Sequence, residues 1–229
     1  MITSPARKIP RRYNGVSGLF PSKKNDGKMV PYESLLERNY MLLLEFDDTV
    51  DRYVGQPVTI PYQLSNENGS RKSRYTPDFI VYYHPDVDSV IPPPTLIEIK
   101  EKKELEKNKE TYEQKFAAAR LYSQKQRWAF SVKTQDDIQG PFFENADFLY
   151  TYLNVPQTSQ EQVVIKFIDA QGGVMTGTEI FQQFAADTSE LATFPAIFWA
   201  MVANKALMTD WNQPINLNAS FFTENYDED

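Results

Sequence analysis

The sequence predicts an α/β protein, with a mixed-sheet domain followed by a smaller, mostly helical domain. Three observations support this prediction. Between residues 31 and 156, stretches rich in β-branched and aromatic residues alternate with helical patterns. Within that region, a long charged segment with an apolar stripe separates two of the predicted strands. From residue 157 to residue 229, three helical patterns precede two short strand-like stretches, and this is the order of a winged-helix module.

Each element of the first domain is predicted by a local pattern. The first helix begins at Ser34, a suitable N-cap residue, and Glu37 follows three residues later as in a capping box. Leu36, Tyr40 and Leu44 then recur at helical spacing. The remaining pattern predicts strands over 53–64, 74–83, 95–100 and 127–134, a hairpin turn at 66–73, a loop at 84–94 and a helix over 101–126.

The composition excludes several kinds of chemistry. The chain has 229 residues and no cysteine, so it has no disulfide, no zinc–thiolate site and no thiol nucleophile. His84 is the one histidine, which argues against a histidine-based triad or a multi-histidine metal site. Carboxylates, lysines and a bound metal are then the expected reactive groups. No apolar run reaches the roughly 18 residues of a membrane span, and the N-terminus lacks the apolar core of a signal peptide, so a cytoplasmic protein is expected.

The formal net charge of −7 is unevenly distributed. Residues 1–30 contain seven basic residues and one acid, whereas residues 160–229 contain two lysines and ten acids. Residues 1–30 also contain three prolines and three glycines without lasting periodicity, which predicts a basic flexible arm. Such an arm either contacts nucleic acid or is a solvated tail, and the sequence does not choose between the two.

Charged residues interrupt two strands that are otherwise apolar. Asp78 follows Pro77 in RYTPDFIVYY, and Glu98 and Lys100 lie in TLIEIKEKK. Because side chains alternate along a strand, Glu98 and Lys100 share one face, while Ile97 and Ile99 face the other way. If the two strands pair, Asp78 lies beside Glu98, and Glu37 reaches the same point from its helix. Three converging carboxylates repel one another unless a cation is bound, and Mg²⁺ prefers such oxygen ligands.

The order of these elements resembles the PD-(D/E)xK nuclease superfamily. The stretches SLLERNYMLLLEFDDTVDRYVGQPVTIPY, YTPDFIV and LIEIK narrow the resemblance to the catalytic domain of TnsA-type endonucleases, over about residues 30–135. These are nuclease subunits of Tn-seven-type transposases, including CRISPR-associated ones. The resemblance implies a restriction-endonuclease-like fold for residues 31–156 and a winged-helix-like domain for residues 157–229.

The resemblance also implies the site, its metal and its partners. By motif, the catalytic residues are Glu37, Asp78, Glu98 and Lys100, and the metal-contacting positions are Glu37, Asp78, Glu98 and Ile99. The metal is Mg²⁺, with Mn²⁺ as a substitute. The implied activity is cleavage of the 5′ ends of a mobile element in double-stranded DNA, beside a TnsB-type DDE transposase that cuts and joins the 3′ ends. The implied regulator is a TnsC-type AAA+ ATPase, bound through the acidic C-terminal domain.

Other interpretations of these residues stay open at the level of sequence. Glu37 could serve only as a capping-box residue, and Glu98 with Lys100 could form a solvated ion pair. Lys102 and Lys103 either approach a phosphate backbone or begin an exposed helix. The chain could also be a stand-alone restriction or repair nuclease, or a non-enzymatic scaffold with an inactive nuclease fold. Since two basic residues in the last seventy are few for reading DNA, the C-terminal domain is expected to bind protein.

Overall fold

The computed structural model describes residues 2–6, 16–67, 69–85, 89–185 and 193–226. The chain divides into two compact units, Met1–Ile138 and Gln139–Asp229. The boundary expected after Pro156 therefore falls inside the second unit. The segment just before Pro156, which the sequence assigns to the first domain, forms a helix of the second unit because its side chains pack there. Asn145 Nδ2 donates to the carbonyls of Trp211 (3.0 Å) and Gln213 (2.8 Å).

The first unit is built on a mixed four-stranded sheet and two antiparallel strand pairs. Its strands are β1 (Gly18–Ser22), β2 (Lys28–Tyr32), β3 (Val50–Gly55), β4 (Ile60–Asn66), β5 (Gly69–Tyr75), β6 (Phe79–Tyr83), β7 (Thr95–Ile99) and β8 (Ala129–Lys133). The sheet has the order β3–β6–β7–β8, and β1 pairs with β2 and β4 with β5. In the sheet, β7 and β8 are parallel and the other neighbours are antiparallel.

Two predicted strands are each divided into two in the structure. Residues 53–64 are interrupted after Gly55, because Gln56 adopts a left-handed backbone conformation with φ of 48°. Residues 74–83 are interrupted at 76–78, where Pro77 has no N–H for a ladder. Asp78 therefore lies just before β6, and not inside a strand as the sequence suggests. The β4–β5 pair accordingly forms a sheet of its own, separate from the four-stranded sheet.

Helices precede and follow the strands of the first unit along the chain. They are α1 (Leu35–Phe46), α2 (Lys102–Lys107), α3 (Lys109–Gln126) and α4 (Gln135–Ile138). Ser34 caps α1 as predicted, since its hydroxyl accepts from the Glu37 N–H at 3.1 Å. The helix predicted over 101–126 is divided at Asn108, whose side chain donates to the Glu104 carbonyl at 3.3 Å. Apolar side chains of the strands and α3 form the core beside the site: Val54, Ile60, Tyr75, Ile80, Tyr82, Leu96 and Ala119.

The predicted flexible arm is partly a folded hairpin. Within residues 1–30 the structure describes 2–6 and 16–30, and β1 and β2 pair over Gly18–Tyr32. The buried carboxylate of Glu45 holds this hairpin, because it accepts from the Ser22 hydroxyl at 2.6 Å and from the Lys23 N–H at 2.9 Å. No local pattern shows this contact across more than twenty residues. Four basic residues of the arm lie outside the described residues: Arg7, Lys8, Arg11 and Arg12.

The second unit combines short helices with a small antiparallel sheet. Its elements are α5 (Pro141–Leu149), α6 (Ser159–Ala170), β9 (Val174–Thr176), α7 (Gly177–Phe184), α8 (Phe194–Ala203) and β10 (Ser220–Phe222). Thr158 and Glu161 form a capping box at the start of α6. The sequence predicts a hairpin between 206–211 and 214–222, but β10 pairs with β9, and Met208 meets Phe222 in a single bridge. The winged-helix assignment stays a prediction.

Among the described residues, no helix has both the length and the apolar character that crossing a membrane requires.

Candidate active site

The central strands bring Asp78, Glu98 and Lys100 together. Glu98 lies within β7, and Lys100 directly follows that strand. Asp78 lies just before β6, which pairs with β7 in the register Phe79↔Ile97. The Ile99 N–H donates to Asp78 Oδ2 at 2.7 Å, so the backbone of β7 itself orients this carboxylate.

The Lys100 ammonium lies between two buried carboxylates. Its Nζ is 3.2 Å from Glu98 Oε1 and 3.7 Å from Asp78 Oδ2, and it donates to the Ile99 carbonyl at 2.9 Å. Asp78 is 8% exposed and Glu98 is 3% exposed. An ion pair this deeply buried differs from the solvated pair considered from the sequence, because removing one partner leaves an uncompensated charge.

Burial changes the protonation of these carboxyl groups. It raises the pKa of Glu98 to about 8, and the nearby Asp78 carboxylate adds to this rise while Lys100 opposes it. Burial also raises the pKa of Asp78, against the opposing effect of Lys100 and the Ile99 N–H. When both carboxyl groups are ionised, two negative charges therefore face the single positive charge of Lys100.

Lys100 remains a cation at neutral pH. Burial alone lowers its pKa, but the Asp78 and Glu98 carboxylates outweigh this effect and hold the pKa above its ordinary value. A lysine with a raised pKa is a poor proton acceptor, so this geometry favours an electrostatic role over that of a general base.

Glu37 faces the same site from helix α1. It is 6% exposed, and burial and the Asp78 carboxylate raise its pKa to about 7. Its Oε2 accepts from the Glu33 N–H at 2.8 Å, and its Oε1 accepts from the Ser34 hydroxyl at 3.1 Å. The capping role and a place in the site therefore coexist in this one side chain.

A cleft of about 530 Å³ opens onto these residues. Its walls include Glu37, Asp78, Ile99 and Lys100, whereas Glu98 lies below its surface. Among the described residues, no three carboxylate or imidazole side chains lie close enough to form a metal-binding group. The structure thus places Asp78 and Glu98 on one ammonium, with Glu37 farther along the same cleft.

Two further residues support the site, and one of them, Gln56, lies in a stretch that carries the family resemblance. Tyr75 donates its hydroxyl hydrogen to Glu98 Oε2 at 2.8 Å, and this aromatic residue three positions before Asp78 is the only hint that the sequence carries. The Gln56 N–H donates to the Asp78 carbonyl at 2.7 Å, and its Nε2 donates to Glu33 Oε2 at 3.2 Å. Gln56 Oε1 is buried without a hydrogen-bond partner in the described structure.

Other residues considered from the sequence lie outside this cluster. Lys102 forms an exposed ion pair with Asp136 at 3.0 Å, which accounts for its charge without a phosphate. Lys103 is exposed on the same helix, α2. His84 is half exposed at the end of β6, where its Nδ1 is 3.9 Å from Asp51 Oδ1. None of the three lines the cleft.

The mixed sheet and the P-D and E-x-K residues at its centre define a restriction-endonuclease-like fold of the PD-(D/E)xK class. Residues 47–135 match the family model described as TnsA-like endonuclease N terminal. This part of the chain is therefore similar to the N-terminal domain of TnsA-like endonucleases, and the match supports a TnsA-type nuclease. The match includes Asp78, Glu98 and Lys100 and begins after Glu37. A comparison with curated proteins finds no match.

Proposed function

We propose that this protein is the Mg²⁺-dependent DNA endonuclease subunit of a transposase and cuts the 5′ ends of a mobile element. One observation carries the proposal. A TnsA-like domain holds two buried carboxylates, Asp78 and Glu98, against the ammonium of Lys100 beside an open cleft. An exposed ion pair contributes at most about 1 kcal/mol, and burying one is costly, so stability does not account for this arrangement.

The donor set fits a hard divalent cation. Asp78 and Glu98 supply carboxylate oxygens, and the Ile99 carbonyl lies beside them, 2.9 Å from Lys100 Nζ. Mg²⁺ is commonly held by one or two carboxylates together with water, so a third protein carboxylate is not required. Burial raises the pKa values of Asp78 and Glu98, and a cation bound beside these carboxyl groups would oppose that rise. Mn²⁺ prefers the same ligands and is expected to substitute.

A bound metal would act as a Lewis acid toward a phosphate oxygen. The residues of the chain prepare the site for that chemistry. The Ile99 N–H orients Asp78, and the Tyr75 hydroxyl orients Glu98. Lys100 places a permanent positive charge where a phosphate in the cleft accumulates negative charge during hydrolysis. Glu37, whose pKa is raised to about 7, can accept or release a proton near neutral pH.

The proposed partners follow from the family and from the charge distribution. The substrate is double-stranded DNA at the transposon ends, and a TnsB-type DDE transposase processes the opposite strand. Residues 160–229 carry ten acids and two lysines, which suits a basic protein surface better than DNA. We assign this region to binding a TnsC-type AAA+ ATPase.

Transposition with Asp78→Ala and Lys100→Ala variants tests the proposal. Both variants are expected to lose 5′ cleavage while joining of the 3′ ends by the partner transposase continues, so that fused cointegrate products accumulate. Lys102→Ala is the matched control, because it removes a lysine two positions away that pairs on the surface. Full cut-and-paste activity of either site variant would refute the proposal.

Two alternatives remain distinguishable in the same system. Efficient cleavage of DNA by the purified chain without partners would favour a restriction or repair nuclease. Unchanged transposition with Asp78→Ala, combined with loss on deleting residues 157–229, would favour a non-enzymatic scaffold. The buried carboxylates and their lysine support the nuclease over both the scaffold and a purely structural role for the site.

A further inference from the structure

The pair of strands β4 and β5, residues 60–75, forms a two-stranded ribbon beside the candidate site. The strands pair in continuous antiparallel register from Ile60↔Tyr75 to Asn66↔Gly69. Two hydrogen bonds fix the ribbon to α3: Gln114 Oε1 accepts from the Ser65 N–H at 2.7 Å, and Gln114 Nε2 donates to the Ser65 carbonyl at 2.8 Å. These two bonds hold the ribbon to α3 near its turn.

The two faces of the ribbon differ in character. Ile60 and Tyr75 face the core and are buried. Because side chains alternate along a strand, the residues next to them face solvent. That outer face carries Lys72, paired with Gln63, and Arg74, paired with Pro61, and all four are exposed.

The basic residues of the ribbon have no acidic partner at salt-bridge distance among the described residues. Arg71, Lys72 and Arg74 are exposed, and neither strand contains an acid. In the part of the chain that the structure describes, none of the three forms a salt bridge. Three cations within four positions, on strands without an acid, suit an anionic partner even though the net charge of the chain is −7.

The ribbon is directly connected to the site. Arg74 precedes Tyr75, whose hydroxyl holds Glu98 at 2.8 Å. At about 3.3 Å per residue, Lys72 lies about 10 Å along the strand from Tyr75. That reach covers about three base pairs of DNA, because phosphates of one strand recur every 3.4 Å along the helix axis.

We propose that the outer face of this ribbon, through Lys72 and Arg74, binds phosphate groups of duplex DNA next to the bond that is cut. The inference rests on the proposed nuclease function and adds the surface that positions the substrate. Phosphate contacts set the register of a protein on DNA without reading its sequence, so the ribbon would hold the duplex over the cleft for any end sequence.

The test measures how salt weakens DNA binding. The full-length chain is titrated against a fluorescein-labelled 20-base-pair duplex, by anisotropy, at 50–200 mM KCl with EDTA to prevent cleavage. Each lost phosphate contact reduces the slope of log K against log salt by about 0.9. A K72Q/R74Q double variant is therefore expected to have a slope smaller by about 1.8. Over this fourfold range of salt, wild-type affinity should fall about 12-fold more than that of the variant.

The matched control is a K107Q/K125Q double variant, which removes the same charge from two exposed lysines on other elements. It is expected to keep the wild-type slope. Equal slopes for K72Q/R74Q and wild type, equal losses in both double variants, or no duplex binding by the wild type would overturn the proposal. Normal DNA binding with lost transposition would instead assign the ribbon to a protein partner and also overturn it.

Failure of the ribbon and failure of the proposed function give different results. If the wild type cleaves transposon ends with its partners but K72Q/R74Q keeps the wild-type slope, the ribbon assignment fails and the nuclease stands. If Asp78→Ala leaves cut-and-paste transposition intact while K72Q/R74Q loses slope, the nuclease assignment fails and the ribbon still binds DNA.

Discussion

Replacing Lys100 with methionine tests whether one ammonium compensates two buried carboxylates. Methionine keeps much of the length and apolar surface of the stem but removes the charge. At an effective dielectric constant of about 20, each contact, at 3.2 Å and 3.7 Å, has a Coulomb energy of about 4–5 kcal/mol. The recovered hydration energy of Lys100 and protonation of the carboxyls offset part of this sum. Removing one partner of a buried pair typically costs about 3–5 kcal/mol, which is the expected loss at pH 9.

The loss is expected to be smaller at pH 6. The pKa of Glu98 is raised to about 8 and that of Asp78 is also raised, so both groups take up protons as the pH falls. A protonated carboxyl needs no ammonium. The loss of stability caused by K100M should therefore decrease from pH 9 to pH 6. Loss of the charge should not change the stability of residues 139–229.

Hydrogen exchange measured by mass spectrometry is a suitable assay, because peptides from β7 and β8 report the first unit separately from the second. Lys102→Met is the matched control, since its pair with Asp136 is 58% exposed on both sides and should contribute little to stability. A K100M variant that loses no more stability than K102M at pH 9 would refute the reasoning that Lys100 neutralises this site.

Three further predictions concern the metal, the pH and the hairpin. Mg²⁺ at about 100 times its dissociation constant should raise the free energy of unfolding of the wild type by about 2.7 kcal/mol. It should not change that of an Asp78→Asn variant, and thermal unfolding with and without EDTA measures both. Without metal, the folded state raises the pKa of Glu37 to about 7 and that of Glu98 to about 8, from the unfolded value near 4.5. The resulting stabilisation is complete below pH 4.5 and is lost as the pH rises through 7–8. The stability measured in urea should therefore fall over this range, and it should fall less steeply in a Glu98→Gln variant. Glu45→Ala should cost about 1–3 kcal/mol by leaving buried donors such as the Ser22 hydroxyl unpaired, and limited proteolysis should then cut within the hairpin; cleavage equal to the wild type would contradict this.

Local patterns in the sequence predicted the elements that carry the site. Ser34 and Glu37 are three positions apart, so the N-cap of α1 can be predicted without any tertiary information. The same holds for Glu98 and Lys100, because two residues on one strand must share a face. Pro77 and Gln56 interrupt strands that the apolar pattern alone made continuous, since backbone geometry at one residue outweighs β-propensity around it.

The composition and motifs of the sequence by themselves determined which chemistry is possible here: carboxylates and a lysine, without thiols or a histidine triad. Only the tertiary structure decided how these groups are arranged. Asp78 and Glu98 are twenty residues apart in the sequence. Their contacts with the Lys100 ammonium, and that of Glu98 with Tyr75, depend on the pairing of β6 with β7 and on the turn before β6. The folded β1–β2 hairpin likewise depends on Glu45, more than twenty residues away. Such contacts depend on which distant segments pack together, and the periodicity of a single segment does not predict that.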